Sequence, residues 1–497
     1  MPEWWTWLAG WWATDDYDVA RQVLQRGVAA LLCLAFVQAL GQFRPLLGER
    51  GLTPVPAFTA RVRFRDAPSL FHWRYDDRLL AVVGWTGVVG SLSVVVGLAQ
   101  AGPWWVPTLV FLLLWWLYLS IVDVGQRFYG FGWEMLLCEM AFLVAWLGSD
   151  AVPVPFLVVL AARWLLFRLE LGAGLIKWRG GREWRDLTAL DYHHETQPMP
   201  GPFSWHAHHL PRWWHRVEVV GNHVTQLGLP WLLWLPQPLP SVAGIAVVLT
   251  QGWLVVTGNF AWLNWAAIVL GAAMVSDTTW AFLLGWLPFV PDAGTAAGGA
   301  AGGAPGGLPV AYVVVVTLAV AGLAALSVRP ALNLASRHQL MNASFDPLRL
   351  VNAYGAFGTV TRRRDEVVVE GTLAEHPGPD DWREYEFRGK PGDVMRRPPQ
   401  VAPYHLRLDW VMWFLPLGSG GHLWFERFLL RLLEADPATL RLLRRDPFDG
   451  ERPRWVRARM YRYRYTTPEE RRRTGAWWVR SERGVVVDPV RLSQLRR

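Results

Sequence analysis

The chain is built from long apolar runs separated by short polar connections, and this pattern changes once, near residue 328. Before that point the runs last roughly 17 to 25 residues, the length needed to cross a hydrocarbon core. They predict membrane helices near 28–42, 79–98, 104–123, 131–149, 153–178, 217–236, 240–257, 262–290 and 309–327, the eighth long enough to break near Asp277. Beyond residue 328, charged residues and short alternating segments dominate. Alternation at period two predicts strands over 365–373, 382–387, 405–414 and 455–465; in the last, Arg457, Arg459, Tyr461, Tyr463 and Tyr465 alternate with Val456, Ala458 and Met460. Helices are predicted over 422–434 and 437–445, because Asp436 followed by Pro437 makes a good helix start. The fold class is a polytopic α-helical membrane protein of about 8–10 transmembrane helices, followed by a β-rich α+β C-terminal domain. The parts divide as an interfacial segment, 1–27, a membrane domain, 28–328, carrying a polar loop at 179–216, and a soluble or membrane-apposed domain, 329–497.

Composition refines this picture. Among 497 residues there are 33 Trp, a side chain that favours the membrane interface, where its ring is apolar and its N–H finds a partner. Trp4, Trp5, Trp7, Trp11 and Trp12 predict an interfacial collar. The same segment holds Asp15, Asp16 and Asp18 and lacks a basic region before an apolar core, so it reads as no cleaved signal, and the first span targets the chain. Cys33 and Cys138 sit in apolar runs and are expected as small buried hydrophobes, with no disulfide framework. The net charge of +8 is spread over loops, and Arg362 to Arg364 and Arg471 to Arg473 read as solvated or lipid-facing, not as nucleic-acid contacts. The Gly/Ala run at 294–307 predicts a flexible connection. Arg44, Arg50, Arg61, Arg63, Arg65, Arg74 and Arg78 place the 43–78 loop in the cytoplasm, and alternation puts the 179–216 loop and the C-terminal domain on that same side.

Charge inside the spans marks where chemistry is to be sought, since ionised groups there are costly unless paired or functional. Arg163, Glu170 and Lys177 are spaced to fall on one stripe of the fifth span. Glu134 and Glu139, then Glu218, Asn222 and Gln226, are expected around the same cavity, with His223 and Asn264 extending it. Two readings stand: an ion-pair network that locks helix register, or a substrate cavity. In the second, Lys177, one of two lysines among 49 basic residues, is the candidate base, because an ammonium can lose a proton and a guanidinium cannot. Glu170, Arg163, Asp186 and Asp191 are the further catalytic candidates. The loop adds His193, His194, Glu195, His206, His208, His209 and His215, residue types that bind metals or move protons near neutral pH. No H-E-x-x-H or C-x-x-C order accompanies them, so interfacial hydrogen bonding is the expectation, with no metal and no cofactor. Neither a G-x-S-x-G elbow nor a G-K-[ST] phosphate loop occurs, which argues against a lipase or an ATPase.

The residue order carries more than the composition. The run GAGLIKWRGGREWRDLTALDYHHETQPMPGPFSWHAHHLP (172–211) resembles the lipase maturation factor family, as do NFAWLNW (259–265), LVNAYGAFG (350–358), EFRGKPGDVMRRPPQVAPYHLRLDWVMWF (386–414) and RDPFDGERPRWVRARMYRYRY (445–465). The resemblance covers nearly all of the chain after about residue 40. It implies a membrane-embedded, chaperone-like folding factor, with a secreted lipase as client and the endoplasmic reticulum as the compartment of eukaryotic members; the alternative left open by the polar cavity is an integral-membrane enzyme acting on a lipid or a protein side chain, with Lys177 as its base. Its motifs point to Lys177, Arg182, Trp184, Arg185, Asp186, Asp191, Tyr192, His193, His194, Glu195, Thr196, Gln197, Pro198, His208 and His209 in the loop. In the C-terminal domain they point to Arg407, Asp409, Trp410, Met412 and Trp413. Use of Arg for Lys, with the Gly/Ala-rich insert, points to a high-GC bacterial source and hence to a plasma membrane.

Overall fold

The first apolar run folds as a 30-residue helix, α1 (Asp18–Leu47), in the computed structural model, which describes residues 12–286, 308–418 and 423–495. Its first N–H groups have no partner within the helix. The Asp277 carboxylate supplies one, accepting from the backbone N–H of Asp18 at 2.8 Å and of Val19 at 3.0 Å. The helix α2 (Asp77–Val95) starts where Asp76 accepts from Leu79 N at 2.7 Å. It packs along α1 with Gly84 and Gly87 against Leu40 and Phe36, so close that no Cβ fits at either glycine.

The bundle continues through α3 (Trp105–Val124), α4 (Gly132–Val144) and α5 (Phe156–Arg179). After a polar loop come α6 (Arg212–His223), α7 (Leu239–Thr257), α8 (Leu263–Ala272), α9 (Asp277–Leu284), α10 (Val310–Leu326) and α11 (Val328–Ala335). Among the described residues five helical stretches are long and apolar enough to cross a membrane: α1, α2, α3, α7 and the α10–α11 stretch. The α8–α9 pair makes a sixth if counted as one span, bent by 97° close to Asp277, where the sequence predicts a break.

The other three predicted spans are helical but depart from a simple crossing. The 13 residues of α4 reach about 20 Å, short of a hydrocarbon core of about 30 Å. The 24 residues of α5 are long enough but carry Arg163, Arg168, Glu170, Lys177 and Arg179. The predicted 217–236 span breaks after α6 into a π-helical turn (Val224–Gly228) and a 3-10 segment (Leu229–Trp234), where Pro230 can donate no backbone hydrogen bond. Protein surrounds much of α4 and α5, so their polar groups are met by neighbouring side chains. Trp12 departs from the expected collar: it is buried, donates to Thr317 Oγ1 at 3.2 Å and lies edge-on to Tyr312. Trp4, Trp5, Trp7, Trp11 and the 294–307 run lie outside the described residues. Cys33 and Cys138 are free thiols, the first partly and the second fully buried.

The C-terminal region holds an antiparallel sheet of β1 (Arg364–Thr372), β2 (Arg383–Glu384), β3 (Trp455–Tyr465) and β4 (Trp478–Val490), in the order β2-β1-β3-β4. The β3 limits are those the alternation predicts; the strand expected at 382–387 contracts to two residues. The largest correction is at 405–414, expected as a strand and found as the helix α12 (Arg407–Trp413). Arg407 through Met412 are all buried, so polarity does not alternate there and neither period can be read. The helix expected at 437–445 covers only Pro437–Leu440, begun as predicted by Asp436 accepting from Thr439 N at 2.8 Å. The helix α13 (Leu423–Leu433) lies within its predicted limits.

One hydrophobic cluster runs from α1 through α5 into α12, α13 and the sheet, so the C-terminal region packs directly on the membrane helices. Gln42 donates to His405 O at 2.8 Å and accepts from Arg407 N at 3.0 Å. Arg427 and Arg431 donate to the carbonyls of Leu52 and Arg50, at 3.0 and 2.6 Å. These contacts put the 43–78 loop and the C-terminal domain on one side of the bundle.

Candidate functional site

Glu170 and Lys177 lie on one face of α5, two helical turns apart, and look into a cavity of about 880 Å³ between the helices and the C-terminal domain. The polar wall is a continuous chain of hydrogen bonds. Asn264 Nδ2 donates to Gln251 Oε1 at 2.7 Å, and Gln251 Nε2 donates to Glu170 Oε1 at 3.0 Å. Gln226 Nε2 donates to the other Glu170 oxygen at 3.2 Å. Lys177 Nζ closes the chain, donating to Gln226 Oε1 at 2.8 Å and Asn222 Oδ1 at 2.9 Å, with the Trp184 ring centre 4.9 Å away. Most of the remaining wall is apolar, from Leu169, Leu249, Leu254, Leu263, Phe260 and Trp410.

Part of the predicted stripe and its surroundings belongs elsewhere. Arg163 donates to Leu233 O at 3.1 Å and Tyr17 OH at 2.6 Å, away from the cavity. Glu134 does not join the cavity network: it accepts from Arg407 Nη1 at 2.7 Å and from Tyr118 OH. Glu139 pairs with Arg168 and accepts from Asn352 and Tyr354. Among the expected neighbours Glu218, Asn222, Gln226 and Asn264 do line the cavity, and His223 bonds to Trp184 O at 3.1 Å instead. Sequence reasoning missed Gln251, a lone amide inside an apolar run, and Arg168, the second arginine of the fifth span.

The polar loop is a strap. It folds into three short helical turns, Arg182–Arg185, Leu190–Thr196 and Ser204–His208. Arg364 at the start of β1 donates to the carbonyls of Glu195 at 2.9 Å, Pro198 at 3.0 Å and Gln197. Trp413 donates to Thr196 O at 3.1 Å, and Trp184 to Phe357 O at 2.8 Å. The Glu195 carboxylate accepts from Tyr465 N at 2.8 Å, and Gln197 Nε2 reaches Ser204 Oγ and Thr257 O, both at 2.9 Å. Tyr192 lies under Arg362, and His209 Nδ1 meets Trp205 O at 2.7 Å. Arg182, Arg185 and Asp186 are exposed. Asp409 of α12 accepts from the N–H of Gly389 at 2.6 Å and Lys390 at 3.1 Å, while Trp410 and Met412 are both buried. These motif residues fasten the loop and the C-terminal domain to the membrane helices; the geometry gives most of them a structural task.

The loop also brings donor groups together. His194, His215 and Glu218 place candidate ligand atoms within 4.8 Å of one another. This donor set suits zinc in kind. Both His215 nitrogens are already committed, Nδ1 to Asp191 and Nε2 to Ala207 O, each at 3.0 Å, which leaves no free lone pair for an ion. Asp191 therefore holds His215 through one carboxylate oxygen.

Burial sets the behaviour of the loop histidines. Loss of hydration, then repulsion from His194 and Lys177, pushes His193 down to about 3; loss of hydration and the neighbouring histidines push His208 down to about 3. Both are neutral when folded and return to about 6.5 when unfolded. Below that pH the unfolded chain binds more protons, so stability is complete above it and is lost as the pH falls towards 3. The thermal midpoint of the detergent-solubilised protein is expected to drop between about pH 7.5 and about pH 5, each histidine approaching about 1.4 kcal/mol per pH unit. His193→Phe is expected to flatten that slope; an equally steep slope in the variant contradicts the assignment.

Residues 19–282 match the family described as Lipase maturation factor transmembrane domain, and residues 350–488 match Lipase maturation factor C-terminal domain. The chain is 38% identical to Lipase maturation factor 1 of Homo sapiens, covering 97% of this chain and 90% of that protein. It is 38% identical to the Bos taurus protein of the same name, over 96% and 90%, and 30% identical to Lipase maturation factor 2 of Homo sapiens, over 93% and 81%. No solved structure matches.

Proposed function

Because the chain belongs to the lipase maturation factor family, we propose that it is a membrane-embedded maturation factor that holds a secreted lipase, or a related secreted client, while the client folds or assembles. The observation that carries this reading is near-complete coverage by relatives named for lipase maturation, extending through the strap and α12. The geometry supports it. Arg364, Trp413, Trp184, Gln197 and Glu195 spend their polar groups on internal bonds, which makes a rigid platform in place of a set of exposed reactive groups. The enzyme alternative draws no support from the relatives' names. Lys177 donates to two amide oxygens, the arrangement of a held ammonium and not of a base with a free lone pair.

The protein is integral to the membrane. On the pointer of its composition to a bacterial source we place it in the plasma membrane; the endoplasmic reticulum is the compartment expected of eukaryotic relatives. Crosslinking in the native membrane, followed by affinity capture and mass spectrometry, tests the reading. A secreted lipase, crosslinked to the strap or the C-terminal sheet, is expected among the captured peptides; because a secreted client folds outside the cytoplasm, this reading puts that face opposite to the side that the arginine bias predicts. Crosslinks confined to cytoplasmic or membrane enzymes contradict it.

A further inference from the structure

An opening of about 880 Å³ inside a membrane protein calls for an occupant, because protein interiors close around voids much larger than a water molecule. The volume falls in the range of roughly 300–1,000 Å³ typical of small-molecule sites. Three observations narrow the occupant's chemistry.

The first is the mouth. Leu249 and Trp253 line the cavity, yet are 68% and 39% exposed on α7, beside the exposed Val242 and Val256 of the same membrane-length helix. A face of this kind meets lipid, so the entrance opens towards bilayer hydrocarbon. The second is the apolar wall, in which Leu254, Leu263 and Ala267 offer nothing polar to a ligand.

The third is the polar end. Lys177 uses two of its three N–H groups on Asn222 and Gln226 and makes no ion pair among the described residues. Glu170 is satisfied by the Gln226 and Gln251 amides and does not reach the ammonium. Asn222 turns its oxygen to Lys177, and its buried Nδ2 has no acceptor. Glu218, one turn earlier on α6, turns its free oxygen towards His194 Nε2 at 3.7 Å. Lys177 and its partner Asn222 thus leave two donors unmet, one of them charged, while the unmet Glu218 oxygen faces His194.

We propose that this cavity binds a single-chain amphiphile with an anionic carboxylate head, a long-chain fatty acid, whose oxygens meet Lys177 Nζ and Asn222 Nδ2 while its chain lies along α7 and α8 towards the lipid-facing mouth. A client polypeptide segment fits less well, since most of its backbone N–H and C=O groups would be left unpaired along a wall that is mostly apolar. The inference does not rest on the maturation reading: it concerns ligand binding by the isolated protein and uses no lipase readout.

The test is binding of radiolabelled oleate to the purified full-length protein in nanodiscs, with oleyl alcohol, dioleoylphosphatidylglycerol and an apolar model peptide as competitors. Saturable binding of one oleate per chain is expected. Lys177→Met is expected to weaken oleate about tenfold or more, the loss of a charge-assisted hydrogen bond, while binding of oleyl alcohol changes little. Ala267→Phe, which fills the cavity and leaves the polar end intact, is expected to remove binding of both, and it decides the matter together with wild-type stoichiometry if the lysine variant fails to fold. Non-saturable uptake, or equal uptake by Ala267→Phe, overturns the proposal. Displacement of oleate only by dioleoylphosphatidylglycerol overturns the carboxylate head in favour of a phosphate. One peptide bound per chain where oleate does not bind overturns it in favour of a client segment.

Discussion

Replacing Arg407 with methionine is expected to loosen the C-terminal domain from the membrane helices and to cost about 3–5 kcal/mol, the penalty for stranding a buried charge. Arg407 is fully buried, with Nη1 2.7 Å from both Glu134 Oε1 and Phe128 O and its guanidinium centre 3.4 Å above the Tyr129 ring. Its backbone N–H is held by Gln42 of α1 at 3.0 Å. Methionine keeps much of the bulk and leaves the Glu134 carboxylate, also wholly buried, with Tyr118 and with His405 at 3.6 Å. The thermal midpoint in detergent and the rate of limited proteolysis between the two domains measure the effect. The double variant Arg407→Met with Glu134→Leu is expected to regain much of the loss, because a paired hydrophobic replacement strands no charge. A wild-type midpoint in the single variant contradicts the ion pair's role as the fastening between domains.

Removing the carboxylate of Glu366 is expected to have a comparable effect on the strap. Glu366 is completely buried on β1, 2.6 Å from Arg364 Nη2 and 2.9 Å from Lys390 Nζ. Glu366→Leu leaves those two cations facing each other without a counter-charge, at a cost of about 3–5 kcal/mol. Arg364 also holds the carbonyls of Glu195, Gln197 and Pro198, so its displacement frees the strap at 195–198. Limited proteolysis read by mass spectrometry should show new cleavage there. Arg362→Ala removes a partner from Glu183 at a 65% exposed position and serves as the control; little change is expected, as for most surface pairs. Equal cleavage in both variants contradicts the role of the buried triad.

These two expectations rest on contacts that the linear sequence does not display. It shows Glu134 as a charge inside an apolar run and Arg407 within a motif, but the two are far apart along the chain and no local period joins them, and Glu366 does not stand out in its charged stretch. The stripe of Arg163, Glu170 and Lys177 was legible as spacing, and two of its members share a network. Arg163 does not, because it lies about 21 Å along the helix axis from Lys177, in a different layer of the bundle. Elements with one buried face were readable, β3 above all, since alternation reports burial directly. Elements buried on every side were not: α12 has no polar face to set a phase. The break after α6 carries Pro230 and Gly228 as its signal, whereas β4 has a charged first half and exposed valines, Val485 and Val486, that mask its alternation.

The identity of the strap explains a further feature of the sequence. A cluster of histidines and acids suggests chemistry by composition, but His215 is held by Asp191 and Ala207, His209 by Trp205, and Glu195 by Tyr465. Interfaces between a membrane domain and an apposed domain need many such short polar contacts, because backbone groups of a loop must be satisfied where water is excluded. Family motifs here record how the platform is held together.

The most direct measurement is therefore the specific activity of a secreted lipase from the same organism, produced with this protein, without it, and with the Arg407→Met variant. The account predicts that lipase antigen made without the protein has low specific activity and is poorly secreted, that wild-type protein restores both, and that the variant restores little. Unchanged lipase activity and secretion in the absence of the protein contradict it.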